Sequence, residues 1–420
     1  MHPLTAMATH AAHPKIWPLR FLSVEAASGV VLLAAAAAAL LWANSPLAAS
    51  YGALWHLQLG AALKDYLPVH DLHFWVNDGL MTVFFLVVGL EIRREMYDGS
   101  LSDPKVATLP IIAAAGGVAV PALLYVLINT DPVTRAGWAI PTATDIAFAV
   151  GILSLAGKGV PPALRMLLLT LAIIDDIAAI LVIAFFYSSG IQYTGLALVA
   201  AGVVLVLALQ WLAIRPAWAY LIPGAIVWYG MLRAGMHPTL AGVILGLLTP
   251  ASGLFAQRPD CIDPTVISPV QAVEARLHPW VAFGIMPLFA LANAGVSLTG
   301  LDLSAGAPLK VAAGIVAGLV LGKPIGIVLA ALAAVSLRIC ALPQGIAWPH
   351  VVLLGLLAGI GFTMAIFISN LAFTDPALLA AAKFAVLAAS GLAAVLGLVL
   401  GRLQRHATAA RPRAADARAP

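Results

Sequence analysis

Two adjacent aspartates, Asp175 and Asp176, stand in the middle of the otherwise apolar stretch "LAIIDDIAAILVIAFF", residues 171–186. They lie halfway between Arg165 and Tyr187, so a helix that crosses a bilayer there places both carboxyl groups near its centre. A charged side chain at that depth costs at least ~2.5–3.5 kcal/mol. Neighbouring helix positions point in different directions, so each aspartate needs its own partner or its own water. The pair therefore indicates an ion or proton site, with a structural ion pair as the alternative.

A third aspartate, Asp145, occurs in "GWAIPTATDIAFAVGIL". Pro141 removes a backbone N–H and clashes with the carbonyl of Gly137, so a regular helix is not expected there. Interrupted backbone at membrane depth is tolerated only where it lines a cavity or is buried in protein. The segment predicts a broken helix whose free carbonyls and hydroxyls, among them that of Thr144, are available to ions.

A second interruption is predicted in "LLAGIGFTMAIFISN", residues 356–370, where Gly359 and Gly361 divide an apolar run. Glycine in a membrane helix is often only a packing contact. Two interrupted segments in corresponding positions of two halves, however, are the best sequence pointer to a transporter's binding site.

A basic residue, Lys323, lies at mid-span in "LVLGKPIGIVLA", far from Lys310 and Arg338. At that depth its side chain does not reach water by snorkelling, so it needs an internal anion. The aspartates are the candidate partners, and a purely structural ion pair is the alternative.

Weaker signals lie at the ends of spans. Glu91, Arg94 and Glu95 fall within one helical turn and could pair, or could form a solvated helix end. His237 and His278 each precede a proline and could titrate near neutral pH or act as turn residues.

Composition defines the elements that must position these residues. Hydrophobic residues make up 62% of the 420 positions and charged residues 10%, against about 25% charged in soluble domains. Runs long enough to cross a bilayer as helices recur along nearly the whole chain, which indicates an all-α polytopic membrane protein. Two cysteines are too few for a disulfide scaffold. The net charge of +4 comes from loops and the C-terminal tail, where membrane topology explains it better than nucleic-acid binding.

About twelve transmembrane helices are predicted, with extramembrane segments at 44–71 and 251–277. The spans lie near 22–43, 73–92, 105–128, 137–156, 163–187, 194–214, 218–233, 236–250, 278–298, 309–337, 349–371 and 376–401. Sixteen of the 22 Lys and Arg residues lie on the side of the termini, four on the other side and two inside spans. This excess predicts that both termini are cytoplasmic.

These motifs together resemble those of the NhaA-type sodium/proton antiporters. The motifs "NDGLMTVFFLVVGLEIRRE", "GWAIPTATDIAFAVGIL", "LAIIDDIAAILVIAFFY", "LHPWVAFGIMPLFALANAGVSL", "LGKPIGI" and "GIGFTMAIFI" occur in that family's order. The resemblance covers roughly residues 20–400. The family is itself one of the examples on which the rule of inverted repeats with broken helices rests.

The resemblance implies an architecture. Two inverted three-helix repeats would contain crossed broken helices, the remaining helices would form an interface domain, and the segment after the first span would help a homodimer to form. In numbers, a cytoplasmic N-terminus at 1–21 would precede a transmembrane domain at 22–401, with core repeats at 105–187 and 309–401 and interface helices at 22–92 and 194–298. The basic, Ala-rich cytoplasmic tail at 402–420 is an addition to the family pattern, and its composition predicts disorder.

The resemblance also implies roles for single residues. Asp176 would be the principal carboxylate for cation and proton, with Asp175 as its partner for Na⁺ and as the ion-pair partner of Lys323. Asp145 and Thr144 would balance the crossed half-helix ends. Positions tied to the pH response or the cytoplasmic entrance would be Glu91, Arg94, Glu95, Glu274, His237 and His278, and Asp78 would lie on the periplasmic approach. Gln271 and Ala272 stand where the family has two basic residues, which leaves the pH threshold open.

The implied function is exchange of cytoplasmic Na⁺ or Li⁺ for external H⁺ by alternating access, electrogenic and activated at alkaline pH, for sodium and pH homeostasis at a bacterial inner membrane. No cofactor, enzymatic activity or nucleic-acid partner is expected; the partners are Na⁺, Li⁺, H⁺ and lipid. A proton-coupled porter for another small solute is the alternative. An intramembrane aspartyl protease needs its two aspartates on separate helices, whereas Asp175 and Asp176 are adjacent, so that class is disfavoured. A cation channel does not need a lysine at mid-span, so Lys323 disfavours a channel.

Overall fold

The computed structural model describes residues 17–59, 70–156, 161–188, 190, 192–214, 216–251, 268–299, 301–304 and 306–416. Of these described residues, 81% are helical. Its elements are α1 (Trp17–Ala43), α2 (Ala48–Trp55), β1 (Gln58–Leu59), β2 (His70–Asp71), α3 (Leu72–Asp98), α4 (Pro104–Ile128), α5 (Pro132–Thr142), α6 (Ile146–Leu155), α7 (Pro162–Phe186), α8 (Tyr193–Trp211), α9 (Leu221–Ala234), α10 (Leu240–Leu248), α11 (Pro269–Asn293), α12 (Gly306–Ser336), α13 (Trp348–Ala358), α14 (Phe362–Ala372) and α15 (Pro376–Asp416). β1 and β2 form a two-residue antiparallel pair.

Short polar–proline pairs begin several of the helices. The Asp103 carboxylate accepts a hydrogen bond from the backbone N–H of Lys105, one residue after Pro104. Asp-Pro or Ser-Pro pairs begin α5, α11 and α15 in the same way. Proline at the first helical position has no N–H to leave unpaired, and the preceding oxygen satisfies a free donor. The chain thus marks its helix starts in sequence.

Seven described helices are long and apolar enough to cross a membrane, and three bent pairs bring the number to ten if each pair counts as one span. The pair α5–α6 is bent by 48° and the pair α13–α14 by 45°. Both breaks fall in the segments that the sequence predicts to be interrupted. A third pair, α1–α2, is bent by 116°.

Three boundaries differ from the sequence prediction. Residues 48–55, predicted to be extramembrane loop, form α2, which lies against the bundle through buried Tyr51 and Trp55. α11 begins at Pro269, nine residues before the predicted span start at 278. α15 continues to Asp416, so residues 402–416 are helical rather than disordered as predicted. Most of the predicted N-terminal segment 1–21 and residues 417–420 lie outside the described residues.

Small residues allow the central helices to approach each other closely. α4 packs along α12, and α12 packs against α15. A Cβ on Gly326 of α12 would lie 2.1 Å from the backbone oxygen of Gly116 on α4. At the second break, a Cβ on Gly359 would lie 2.4 Å from the backbone oxygen of Leu319. Glycine is therefore required where α12 meets its neighbours.

We expect Gly326→Ala to destabilise the protein by about 1–3 kcal/mol, because a methyl group has no room beside the Gly116 carbonyl. Thermal unfolding of the purified protein in detergent measures the effect. Gly391→Ala on α15 is the matched control, since a Cβ there meets nothing within 4 Å. Equal melting temperatures for the two variants would contradict the close packing of α4 on α12.

Candidate functional site

A cavity of about 1550 Å³ enters the bundle at the end where α3 finishes and α7 and α11 begin. Exposed side chains, including Asp98 and Arg276, stand at its mouth. Its inner wall carries the oxygen-bearing side chains of Thr144, Asp145, Asp176 and Thr363, all of them buried. The cavity therefore leads from one face of the protein to the predicted ion site beside the two helix breaks.

Asp176 faces this cavity from the middle of α7. Its accessible surface is only 3% of the maximum. Within the described residues it makes no hydrogen bond or ion pair, although the charged groups of Glu91, Asp175, Asp145 and Lys323 lie near enough to act on it electrostatically. The carboxyl group is thus buried, lines the cavity and is not committed to a protein partner within the described residues.

Asp175, one residue earlier, points into the protein instead. Its Oδ2 lies 2.6 Å from Nζ of Lys323 and accepts a hydrogen bond from the Thr144 hydroxyl at 2.7 Å. The side chains of Asp175 and Lys323 are both fully buried. Its second oxygen, Oδ1, has no hydrogen-bond partner in the described part of the chain. The ion pair joins α7 to α12 beside the break between α5 and α6.

Both broken helices present their C-terminal carbonyls to this ion pair. Lys323 donates to the backbone oxygen of Thr142, the last residue of α5. The Thr144 hydroxyl also lies 2.8 Å from the backbone oxygen of Ala358, the last residue of α13. Helix C-termini carry partial negative charge, so the ammonium group offsets the charge of the half-helix α5 as well as that of Asp175.

The Asp145 carboxylate lies at the N-termini of the other two half-helices. Its Oδ1 accepts from the backbone N–H of Phe148 in α6, at 3.0 Å. Its Oδ2 accepts from the backbone N–H of Thr363 in α14, at 3.1 Å, and from the Thr363 hydroxyl. The backbone N–H of Asp145 also donates to the carbonyl of Ile360, at 2.7 Å. One carboxylate therefore offsets the positive ends of two half-helices, which ties the breaks together.

A second group of charges lines the cavity mouth. Arg94 on α3 forms ion pairs with Glu274 on α11 and with Glu95. Glu95 in turn accepts from the backbone and hydroxyl of Ser100, both at 3.0 Å. The Ser100 hydroxyl lies 2.7 Å from that of Thr170 on α7. This entrance cluster links the three helices around the mouth, and Glu91 and His278 also line the cavity.

His237 does not belong to the entrance cluster, although the resemblance grouped it with these residues. Its Nε2 hydrogen-bonds to the backbone oxygen of Tyr187 at 2.8 Å, at the far end of α7 from the cavity. Asp78 also lies at that opposite end, where its carbonyl accepts from the indole of Trp228 at 3.1 Å. Both residues lie near helix ends in the sequence. Only the packing of the helices shows that His237 and Asp78 lie at the end of the bundle opposite the cavity.

Sequence reasoning missed two parts of the polar interior. Thr363, which donates to Asp145, stands in the quoted motif but gives no signal beyond being a hydroxyl two residues after Gly361. Asn293 and Lys383 meet in a buried polar group at the opposite end from the cavity. A lysine inside an apolar span was the available signal for Lys383.

A cavity that ends at buried carboxylates between two interrupted membrane helices is the arrangement of secondary transporters, and this is the class that the fold and site define. Residues 19–400 match the family described as Na⁺/H⁺ antiporter 1, and the chain belongs to that family. It is 58% identical to the Na⁺/H⁺ antiporter NhaA of an Acidovorax species over 395 residues, with 93% of each chain covered. It is 54% identical to NhaA 2 of Pseudomonas putida, with 91% of this chain and 92% of the relative covered. It is 51% identical to NhaA of Cupriavidus necator, with 91% and 88% covered.

We expect Lys323→Ala to destabilise the protein by about 3–5 kcal/mol, because Asp175 would be left buried without its partner. The melting temperature in detergent measures this loss. Lys310→Ala, which removes an exposed lysine from the same helix, is the control. Adding Asp175→Asn to Lys323→Ala should recover part of the loss. An unchanged melting temperature for the single variant would argue against the ion pair.

Proposed function

We propose that the protein exchanges Na⁺ or Li⁺ from the cytoplasm for external H⁺, and that Asp176 is the carboxylate for which the two ions compete. The observation that carries the proposal is the division of labour between the adjacent aspartates. Asp175 is engaged by Lys323 and Thr144, whereas Asp176 faces the cavity with no protein partner in the described residues. The family membership and the similarity to Na⁺/H⁺ antiporters support the same reaction.

The chemistry of the cavity end suits this competition. Na⁺ is a hard cation and prefers oxygen ligands. The carboxylate of Asp176 and the neighbouring oxygens of Thr144, Asp145 and Thr363 supply them without a soft donor. A carboxylate that carries a proton has lost the charge that attracts Na⁺. Acid therefore favours the protonated and sodium-free site, and alkali favours the sodium-bound site.

Alternating access would couple this site to both sides of the membrane. In our proposal the twelve spans include two inverted three-helix repeats, with α4 to α7 and α12 to α15 as the counterparts. The Asp145 carboxylate accepts hydrogen bonds from the starts of both α6 and α14, which supports movement of the two broken helices as one unit. Transport would be electrogenic if more than one proton left for each Na⁺ bound, with Asp175 or Lys323 as the source of the second proton.

The excess of Lys and Arg on one side supports an inner-membrane protein with both termini in the cytoplasm. The cavity mouth then faces the cytoplasm, since α3 ends and α7 begins there. We further propose a homodimer formed through the segment that follows α1. Na⁺, Li⁺ and H⁺ would be its transported ions, with no bound cofactor.

Activation at alkaline pH would arise at the cavity mouth. Glu274 is fully buried, and its Oε2 has no hydrogen-bond partner in the described part of the chain. Arg94 holds the other oxygen, with Glu95 and His278 close by. Uptake of a proton by this cluster would weaken the ion pair that joins α3 to α11.

We expect Asp176→Asn to abolish exchange while the protein still inserts and folds, because the amide carries neither the charge nor the exchangeable proton. Dequenching of a ΔpH dye in inside-out vesicles, after pulses of Na⁺, Li⁺ or K⁺ from neutral to alkaline pH, measures exchange directly.

The control for this experiment is Asp103→Asn, which changes an exposed carboxylate to an amide that still caps α4. It should exchange like the unchanged protein. Sodium-driven ΔpH of normal size in Asp176→Asn would overturn the assignment of the site. A ΔpH response to another solute, and none to Na⁺ or Li⁺, would favour the proton-coupled porter instead.

We expect Glu274→Gln to shift the dependence of exchange on cytoplasmic pH, because the glutamine cannot titrate and cannot pair with Arg94. The same vesicle assay over a pH series measures the shift. His237→Gln, at the opposite end of α7, should leave the cytoplasmic pH profile unchanged. The reverse pattern would assign pH sensing to the other end of the protein.

A further inference from the structure

A buried polar cluster lies at the end of the bundle opposite the cavity. Its centre is Asn293, the last residue of α11 and only 2% exposed. His73 and Asn77 reach it from the start of α3, Asn370 from the end of α14 and Lys383 from α15. From Asn77 to Glu91 at the cavity, the distance along α3 is roughly 20 Å. We call these five residues the Asn293 cluster.

The cluster is crowded with donors around a single oxygen. Oδ1 of Asn293 lies 2.8 Å from Nδ2 of Asn370, 3.1 Å from Nε2 of His73, and 3.4 Å from both Nδ2 of Asn77 and Nζ of Lys383. A carbonyl oxygen has two lone pairs, so it satisfies two of these donors well. In the described residues the Lys383 ammonium has no carboxylate partner. The group is therefore sensitive to the addition of one more proton.

The hydrogen bonds fix the protonation state of His73. Nδ2 of Asn293 donates to Oδ1 of Asn77 at 2.7 Å and to the carbonyl of Phe289 at 3.0 Å, which sets the orientation of both amides. The Asn77 amino group then faces the His73 ring, 3.3 Å from both Nδ1 and Nε2. Neutral His73 completes this pattern, since Nε2–H donates to Asn293 and Nδ1 accepts from Asn77. In a protonated ring Nδ1 also carries a proton, so its N–H would face the N–H donors of the Asn77 amino group.

Of the charges around His73, those of Lys383 and His56 oppose protonation of the ring, and that of Asp71 favours it. Lys383 faces the ring from α15 with its positive charge, and α11 and α14 contribute only the amides of Asn293 and Asn370. Asp71 and His56 approach from the other side, at the start of α3 and after α2. Protonation of His73 would thus place a second cation beside Lys383 and strain the bonds that hold the cluster.

A layer of three phenylalanines separates the cluster from the cavity. Phe85, Phe289 and Phe367 come from α3, α11 and α14 and are almost fully buried. The Phe367 ring centroid lies 5.4 Å from that of Phe85 and 6.2 Å from that of Phe289. The cluster and this layer share α3, α11 and α14, and along each of these helices the phenylalanine lies between the cluster residue and residues that line the cavity.

We propose that the Asn293 cluster is a proton-operated gate on the external side, at which an incoming proton binds His73, releases α3 and α11 from α14 and α15, and opens the path to Asp176. The proposal rests on the function proposed above, and it adds a proton-binding site that is separate from the transport carboxylates. Because the gate opens when His73 takes up a proton from outside, external acid admits the ion that is to be carried inward.

The test uses right-side-out vesicles in which the internal pH is fixed and the external pH is varied, with the initial rate of radioactive sodium efflux as the readout. At each external pH the driving force is the same for every variant. We therefore divide the efflux rate of the variant by that of the unchanged protein, and this rate ratio reports the gate alone. His73→Gln keeps a side-chain amide donor for Asn293 but cannot titrate. We expect its rate ratio to fall several-fold as external pH drops below the range where an exposed histidine titrates, because burial and Lys383 oppose protonation of His73.

His56→Gln is the matched control, because the His56 side chain is 77% exposed and, within the described residues, hydrogen-bonds Asp71 rather than the Asn293 cluster. Its rate ratio should stay constant. The internal pH profile of His73→Gln should also be unchanged, because the entrance cluster is intact. A rate ratio for His73→Gln that is the same at every external pH would overturn the gate and leave a structural cluster.

A second variant keeps the proposal testable if His73→Gln fails to fold. Lys383→Gln removes the cation that faces His73 and should move the external pH dependence to a more alkaline pH by roughly one unit. An unmoved profile would contradict the role of the cluster. Absence of sodium/proton exchange in the unchanged protein would instead reject the function proposed above, so the two failures are distinguishable.

Discussion

The ion pair between Lys323 and Asp175 is the interaction on which the rest of the interior depends. Two interrupted helices meet near the middle of the bundle, and their free ends carry partial charges in a region with little water. Lys323 meets Asp175 and the end of α5, and Asp145 meets the starts of α6 and α14. With these charges matched inside the protein, the carboxyl group of Asp176 has no partner in the described part of the chain. In our proposal that group exchanges one cation for another.

The same principle organises both ends of the molecule. At the cavity mouth, charges of opposite sign meet in the pair of Arg94 and Glu274. At the far end, Lys383 meets amides and an imidazole but no carboxylate within the described residues. In our proposals a proton at the cavity mouth weakens a matched ion pair, whereas a proton at the far end adds a second cation beside Lys383. The two ends are therefore suited to different tasks, which is why we place the external gate at the Asn293 cluster.

Much of the fold could be predicted from particular residues. The Asp-Pro and Ser-Pro pairs mark helix starts, and Pro141 and Gly359 predict the two interruptions that the structure contains. The boundaries at residues 269 and 416 were not predicted, because those segments are less apolar and hydrophobicity alone does not mark where a helix ends. Residues 48–55 are apolar, but eight residues are too few to predict a membrane span. The relation between the two repeats and the full number of spans stay proposals.

The sequence by itself determined that two aspartates and a lysine lie in apolar spans, because their desolvation cost makes them stand out from any packing pattern. It also separated the directions of Asp175 and Asp176, since neighbouring helix positions cannot face the same way. Only the tertiary structure decided which of them faces Lys323, that Thr363 bonds Asp145, and that His237 lies at the opposite end from Glu274. These facts depend on the relative rotation and depth of helices distant in sequence. Local spacing does not encode that geometry; the packing of small residues between helices sets it.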